Sequence, residues 1–381
     1  MRGTVIKRGT TWSVVVEVGR DGTGKRVRKW HSGYRTKREA ERARVELLSR
    51  LDQGTYVAPT KLTLDAFLVG EWLPAKRATV KETTLASYEV HVNKHIVPRL
   101  GGLGLVALGP AQLNAFYADL LADGRRDGRG GLSPTTVHLI HATLHKALAD
   151  AVRWGKLSRN PADQADPPRA RPAQMKIWSA EQVKAFLLTV REDRLSAAWL
   201  LAATTGMRRG ELLGLRWNDV DLDAGRIDVR QIRTVARYQV LATTPKTDKG
   251  TRRISLDPAT VAALRTHRTA QKAERLALGP AYQEGVDLVF TREDGAAIHP
   301  ERFSRMFAQH CRRSGLPQVR LHDVRHSYVT ALLSAGVPLK VVSQRVGHAS
   351  PMVTMTIYQH VLPGDDQTAA AVGARAILGE G

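Results

Sequence analysis

Residues 160–174 read NPADQADPPRARPAQ, with prolines at Pro161, Pro167, Pro168 and Pro172. Each proline fixes its own φ, removes a backbone N–H and pushes the preceding residue toward extended backbone, so neither a helix nor a central strand can run through the stretch. A chain of 381 residues interrupted here must build separate cores on the two sides. The stretch itself is expected to be an extended, semi-rigid connector. Arg169 and Arg171 make it basic. A basic connector between two basic halves suggests two bodies closing around a polyanion.

The overall charge agrees. Lys and Arg number 58 against 36 Asp and Glu, a net +22. Nucleic acid is the usual partner of such a chain. A membrane is the rival, but there is no run of about 18 apolar residues and the basic start lacks an apolar segment behind it. No membrane partner is therefore expected. Hydrophobic residues make up 43%, enough for packed cores. The single cysteine, Cys311, excludes an intramolecular disulfide and suits a reducing cytoplasm.

Residues 1–56 carry 14 basic against 6 acidic residues. Residues 11–18 (TWSVVVEV) read as a strand, 21–24 as a turn, and 25–31 (KRVRKWH) as a second strand. On it Arg26 and Arg28 share a face with Trp30, a basic and aromatic surface suited to DNA. A solvated edge hairpin is the plainer reading. Residues 36–51 turn to helical spacing, with Thr36 and Glu39 placed as a capping box.

After the linker at 54–61, helical periodicity covers 64–73, 81–96, 110–122 and 133–154. Pro110 and Pro134 stand as first-turn prolines. The loop 124–131 (GRRDGRGG) reads as too glycine-rich to pack, with arginines able to touch phosphate. On the last helix His138, His141 and His145 share one face. Three histidines could hold zinc, yet no further ligand stands nearby in sequence, so a face toward DNA or a solvated surface is the better reading.

Beyond the connector, Ser179 and Gln182 form a second capping box opening a helix over 179–190, and a buried helix covers 195–205. In TGMRRGELLGLRW, Gly206 turns the chain so that Arg208 starts a helix, where backbone N–H groups favour an anion. Glu211 is placed to hold a neighbouring cation, while Leu212, Leu215 and Trp217 read as core. Residues 226–234 and 237–243 read as strands. PKTDKGTRR is a basic turn before a strand at 252–256, and Lys246 is expected to project from it. The glycines and Lys-Ser/Thr ending of a phosphate-binding loop are absent there. In RLHDVRHSYVT, His322 and Arg325 lie at i and i+3 of one helix, with Val324, Tyr328, Ala331 and Leu332 on the core side. Pro338 starts the next helix, Gly347 ends it, and His348 follows. Tyr358 lies beyond Ser350-Pro351.

This set can handle a phosphodiester. Arg208 and Arg325 can fork the phosphate oxygens. A free tyrosine has a pKa near 10, so about 0.1% is phenolate at pH 7 and a cationic pocket or a base must activate it. Lys246 can protonate the leaving oxygen, His322 can serve as acid–base partner, and His348 can hydrogen-bond a phosphate oxygen. The cations are side chains, so no metal and no other cofactor is expected.

In this order Arg208, Lys246, His322-x-x-Arg325, His348 and Tyr358 resemble the catalytic set of the tyrosine recombinases, of the integrase type found in temperate phages and integrative elements. TGMRRGELLGLRW resembles the family's first box and LHDVRHSYVT its second; VGHAS precedes the tyrosine by ten residues. Met207 and Val346 stand where leucine is commoner. Lys249 competes with Lys246 for the hairpin-lysine role. The resemblance implies a multidomain chain. An arm-site DNA-binding domain (1–56, a small β-sheet plus a helix) precedes an all-α core-binding, SAM-like domain (62–160) and a Pro-rich linker (161–175). A mixed, mainly α catalytic domain of the DNA breaking-rejoining fold with a small antiparallel sheet (176–365) and a tail (366–381) follow. It further implies cleavage of double-stranded attachment sites through a 3′-phosphotyrosyl link, a Holliday junction, and a homotetramer on DNA. Integration or excision would be steered by an accessory excisionase or a host DNA-bending protein. The alanine-rich segment 367–378 is expected to be a short helix that docks on a neighbouring protomer.

Three rivals remain. His322-Asp323-x-x-His326 resembles a helical metal pair, but Arg325 would put a cation against the metal. A type IB topoisomerase uses the same chemistry without joining two sites, and the arm-like front domain argues against it. A non-catalytic DNA-binding regulator needs no intact catalytic set.

Overall fold

The computed structural model describes residues 3–20, 22–54, 56–58, 60–125, 127–169, 176–237, 239–244, 251–283, 285, 287–348, 350–352, 354–355, 370, 373–375 and 377–379. Lys246, Lys249, Tyr358 and Arg171 lie outside them. The chain divides into two compact units, Met1–Pro172 and Ala173–Gly381.

The first unit opens with an antiparallel sheet of β1 (Gly3–Arg8), β2 (Thr11–Arg20) and β3 (Arg26–Tyr34) in that order. The sequence reading missed β1, a short strand recognisable only through its pairing with β2. Helix α1 (Lys37–Asp52) lays Ala40 on Val14 and Val16. Its capping box forms as expected: the Thr36 hydroxyl accepts from the Glu39 N–H at 3.2 Å, and the Glu39 carboxylate accepts from the Thr36 N–H. Along β3, Arg26, Arg28 and Trp30 all fall on the exposed face, with Trp30 47% exposed. The Arg8 guanidinium lies 5.3 Å from the Trp30 ring.

The helical part comprises α2 (Leu64–Phe67), α3 (Leu73–Arg77), α4 (Glu82–His91), α5 (Val97–Leu100), α6 (Pro110–Asp123) and α7 (Pro134–Arg153). Two predicted helices are continuous but widened. π-Helical turns at Leu68–Trp72 and Val92–Ile96 stand directly before Pro74 and Pro98. A proline inside a helix cannot donate and crowds the preceding turn, and one wider turn relieves both. At the centre of this core Asp150 is buried, accepting from Trp72 Nε1 at 2.9 Å, Lys76 Nζ at 2.6 Å and Arg153 Nη2 at 2.6 Å.

Among the described residues of the loop 124–131, the Arg125 N–H donates to Gly130 O at 3.0 Å and its guanidinium pairs with Asp127 at 2.8 Å and 3.1 Å, with Arg125 and Arg129 exposed. The reading of 160–174 as an extended connector needs correction. The start of the proline-rich stretch packs. Pro161 and Ala162 are buried, Asn160 Nδ2 donates to His145 O at 3.1 Å, and the Asp166 N–H donates to Asn114 Oδ1 at 2.8 Å. Pro161 opens a short 3-10 helix, Pro161–Gln164, so the prolines bar neither a helical turn nor burial there. Arg169 is exposed.

The second unit contains α8 (Ala180–Thr189), α9 (Ser196–Thr205), α10 (Arg209–Gly214), β4 (Val220–Asp221), β5 (Arg226–Val229), β6 (Ile232–Ala236), β7 (Gln239–Thr243), β8 (Arg252–Ser255), α11 (Pro258–Leu278), α12 (Pro300–Arg313), α13 (Leu321–Ser334) and α14 (Leu339–Val346). Its core is aromatic: Trp178, Phe186 and Phe307 cluster, and Trp199 stacks on Phe303 at 4.4 Å. The stretch 226–234, read as one strand, is two. β5 joins the sheet β4-β5-β8, whereas β6 pairs with β7 in a separate hairpin. The chain leaves the first sheet because β6 lies on α10, and a Cβ at Gly214 would stand 2.8 Å from Gln231 O. The strands flanking residues 245–250 therefore pair with different partners, not with each other. Ala331 is exposed rather than core. In the tail, residues 370, 373–375 and 377–378 are helical, with Ile377 and Leu378 exposed. Among the described residues no helix is long and apolar enough to cross a membrane.

Candidate active site

The site is organised around the C-terminal end of α14. Gly347 adopts φ +69, and a Cβ there would stand 2.9 Å from Arg252 Nη1, so the turn needs glycine. The last carbonyls of a helix lack intrahelical donors and carry the negative end of its dipole. Here three consecutive ones are each taken by an arginine from a different element. Arg252 Nε on β8 donates to Arg345 O at 2.7 Å. Arg325 Nη2 on α13 donates to Val346 O at 2.6 Å. Arg208 Nη2, at the cap of α10, donates to Gly347 O at 2.8 Å. His348 is the next residue.

Arg325 is 2% exposed, and its Nη1 donates to Gly206 O at 2.6 Å. Burial, and then the charge of Arg208, pulls its pKa down to about 9, so it remains a cation at neutral pH. The carbonyl of Gly206 is presented by a left-handed residue, φ +63, that ends α9. Glu211, also 2% exposed, accepts four hydrogen bonds. They come from the Arg208 N–H (2.9 Å), Arg208 Nη1 (2.9 Å), Arg252 Nη1 (3.0 Å) and Arg252 Nη2 (2.9 Å). Burial alone would raise its pKa; the hydrogen bonds and charge of Arg252, then those of Arg208, outweigh burial and keep it a carboxylate.

Both imidazoles are held neutral. His322 opens onto a cleft of about 880 Å³ lined also by Arg208, Arg233, Arg320, Phe307 and Val319. Partial loss of water, then His326, Arg325 and Arg208, lowers its pKa to about 4, although Asp323 acts in the other direction. His348 is buried, and desolvation followed by Arg325 and Arg208 lowers it to about 3. Its Nδ1 lies 2.7 Å from the hydroxyl of buried Thr354.

Arg208, Glu211, His322, Arg325 and His348 thus meet in one place. Arg252 and Thr354 were missed. Arg252 could have been suspected from the run Thr251-Arg252-Arg253 after the lysine turn; nothing local marks Thr354. Tyr328, the other tyrosine near the second box, accepts a hydrogen bond from Arg345 and is part of the scaffold. The metal-pair reading loses its acid, since Asp323 is engaged by the Arg320 guanidinium at 2.9 Å and 3.0 Å. Among the described residues no group of three or more His, Cys, Asp or Glu could hold a metal ion. On α7, His141 Nδ1 is 2.7 Å from Tyr117 Oη and His145 Nε2 is 2.7 Å from Asp163, which leaves His138 as the exposed member of that face.

Arginines gathered beside neutral imidazoles on a helical scaffold have the chemistry to handle a phosphodiester. Residues 177–364 match the phage integrase family, 5–51 an arm DNA-binding domain, and 66–121 the phage integrase N-terminal SAM-like domain. The chain is 31% identical over 378 residues, 94% of each protein, to a "tyrosine recombinase XerC-like" protein of Caldanaerobacter subterraneus subsp. tengcongensis. It belongs to the phage integrase family of tyrosine recombinases, and it is a site-specific recombinase that cuts and rejoins DNA. Solved structures share the fold. The Tn1549 transposon integrase in complex with a circular intermediate DNA superposes with TM-score 0.68 at 19% identity, over 82% of this chain and 99% of that one. A lambda integrase from a tetramer bound to a Holliday junction gives TM-score 0.58 at 17% identity, over 96% and 97%.

Proposed function

We propose that Arg208 and Arg325 bind the scissile phosphodiester and that Tyr358 attacks its phosphorus, forming a 3′-phosphotyrosyl bond as the bond to the 5′ oxygen breaks. Lys246 gives its proton to that leaving oxygen, and His322 takes the tyrosine proton. At neutral pH His322 is uncharged, so a ring nitrogen is free to accept, though the lowered pKa makes it a weak base. For His348 Nε2 to donate to a phosphate oxygen, its Nδ1 must accept, and the Thr354 hydroxyl 2.7 Å away can rotate to donate to it. A 5′-hydroxyl from the partner duplex then attacks the phosphotyrosine, which conserves the bond without ATP. The observation that carries this reading is the convergence of Arg208, Arg325, His322 and His348 on the end of α14.

The wider scheme follows the family. Four protomers would act on two attachment sites through a Holliday junction, with the tail helix docking on a neighbour and an excisionase or DNA-bending protein setting direction. Residues 1–56 would bind arm sites through Arg26, Arg28 and Trp30, residues 62–160 the core site, and residues 176–365 would cut, inside a bacterial cytoplasm. The lambda integrase tetramer on a Holliday junction supports the assembly by analogy. Arg169, Arg171 and the His138, His141 and His145 face are further candidate contacts.

Tyr358→Phe should abolish covalent protein–DNA adducts on a suicide substrate while leaving DNA binding intact. Adducts that persist would mean a different nucleophile. A two-site assay in which supercoils relax but sites never join would favour a topoisomerase.

A further inference from the structure

Four arginines line the cleft beside α10: Arg208, Arg209, Arg233 and Arg320. Three have partners. Arg208 is held by Glu211 and Gly347 O, Arg209 donates to Pro300 O at 3.2 Å and Ser304 Oγ at 2.8 Å, and Arg320 pairs with Asp323. Arg233 differs. Its Nε is shut off from water without a hydrogen-bond partner, and among the described residues no carboxylate pairs with it. Burial lowers its pKa, the mark of a cation that has lost water and gained no counter-charge. Its backbone is pinned against the same helix that carries the first arginine: a Cβ on Gly210 would stand 2.7 Å from Arg233 O.

A half-buried guanidinium without an acid is unfavourable in the free protein and waits for an anion. No acid of the cleft wall can answer it, since Glu211 already accepts four hydrogen bonds and Asp323 is taken by Arg320. The planar fork of arginine matches phosphate oxygens. Arg208 and Arg325 converge on the end of α14, whereas Arg233 stands on the β6 wall.

We propose that Arg233 is a further DNA ligand of the cleft, binding a backbone phosphate next to the one that is cut. This rests on the cleft being the cleavage site, and Arg208→Ala tests that part separately: normal adduct formation by Arg208→Ala would remove the cleft reading itself. For Arg233, the full-length protein and its Arg233→Gln and Arg233→Lys variants are titrated with core-site duplex across a salt series. Arg233→Gln should weaken binding and reduce the slope of log K against log salt by about 1. Arg233→Lys should restore the slope. The melting temperature of the DNA-free Arg233→Gln protein should stay level or rise, because an unpaired charge has been removed. Duplexes carrying single neutral methylphosphonates beside the cut then locate the contact. At one position wild type should weaken while Arg233→Gln weakens no further. An unchanged salt slope, a lowered melting temperature, or additive losses at every methylphosphonate position would overturn the proposal.

Discussion

Two charge clusters, one in each unit, differ in what is buried: Asp150 is buried with one cation, Lys76, whereas Glu211 is buried with two, Arg252 and Arg325. In the helical core, Asp150 is answered by Lys76 inside and by Arg153 from the surface, and the indole of Trp72 completes its hydrogen bonds. Every member finds its partner within the protein. In the catalytic unit Glu211 faces Arg208 and Arg252, while among the described residues Arg325 donates to backbone carbonyls and no carboxylate pairs with Arg233. Balanced burial fixes a core. Burial with surplus cations is affordable only when helix-end carbonyls absorb part of the charge and an anionic ligand the rest. The imbalance, not the presence of buried charge, separates a site from a scaffold.

That contrast can be broken by substitution. Glu211→Gln should have the largest effect. It takes the buried carboxylate from Arg252 and loosens Arg208, destabilising the fold by about 3–5 kcal/mol and removing cleavage activity with it. Denaturant unfolding alongside a suicide-substrate assay reads both. Asp150→Asn should lower stability by about 3 kcal/mol through Lys76, because Arg153 can turn to water. Adduct formation per folded molecule should be unchanged; a specific cleavage defect would end the distinction between the clusters. Thr354→Val should leave stability within about 1 kcal/mol and slow cleavage about tenfold by removing the hydrogen bond that orients the His348 ring. Unaltered cleavage would show that His348 needs no such partner.

A separate comparison concerns pH. His322 and His348 have folded pKa values of about 4 and about 3, below the unfolded value of 6.5. The unfolded chain therefore binds more protons once the pH drops below about 6.5, and stability declines from there toward pH 3–4. His348→Asn should flatten the decline seen in denaturant midpoints across that range. An identical slope in the variant would mean that His348 is not held neutral.

Much of the site was readable because its signals are local. The capping boxes at Thr36 and Ser179, the helix stop at Gly347, and the spacing of His322 to Arg325 each depend on neighbours within four residues. Arg252 was read only as the start of a strand, since its bonds reach Glu211 and Arg345, 41 and 93 residues away in the chain. The division of 226–234 into β5 and β6 escaped for the same reason. Alternating residues look alike in either sheet, and only contact with α10 decides where one ends.

The sequence by itself pointed to a DNA partner and to the family, and singled out arginines and histidines that the fold brings together, because charge, turn chemistry and helical spacing act over short range. Tertiary structure decided which arginine is bound to what. Three of them meet at three successive carbonyls of one helix end, and Arg233 is left over. Which charges are neutralised depends on packing between residues far apart in the chain, and no local pattern encodes it.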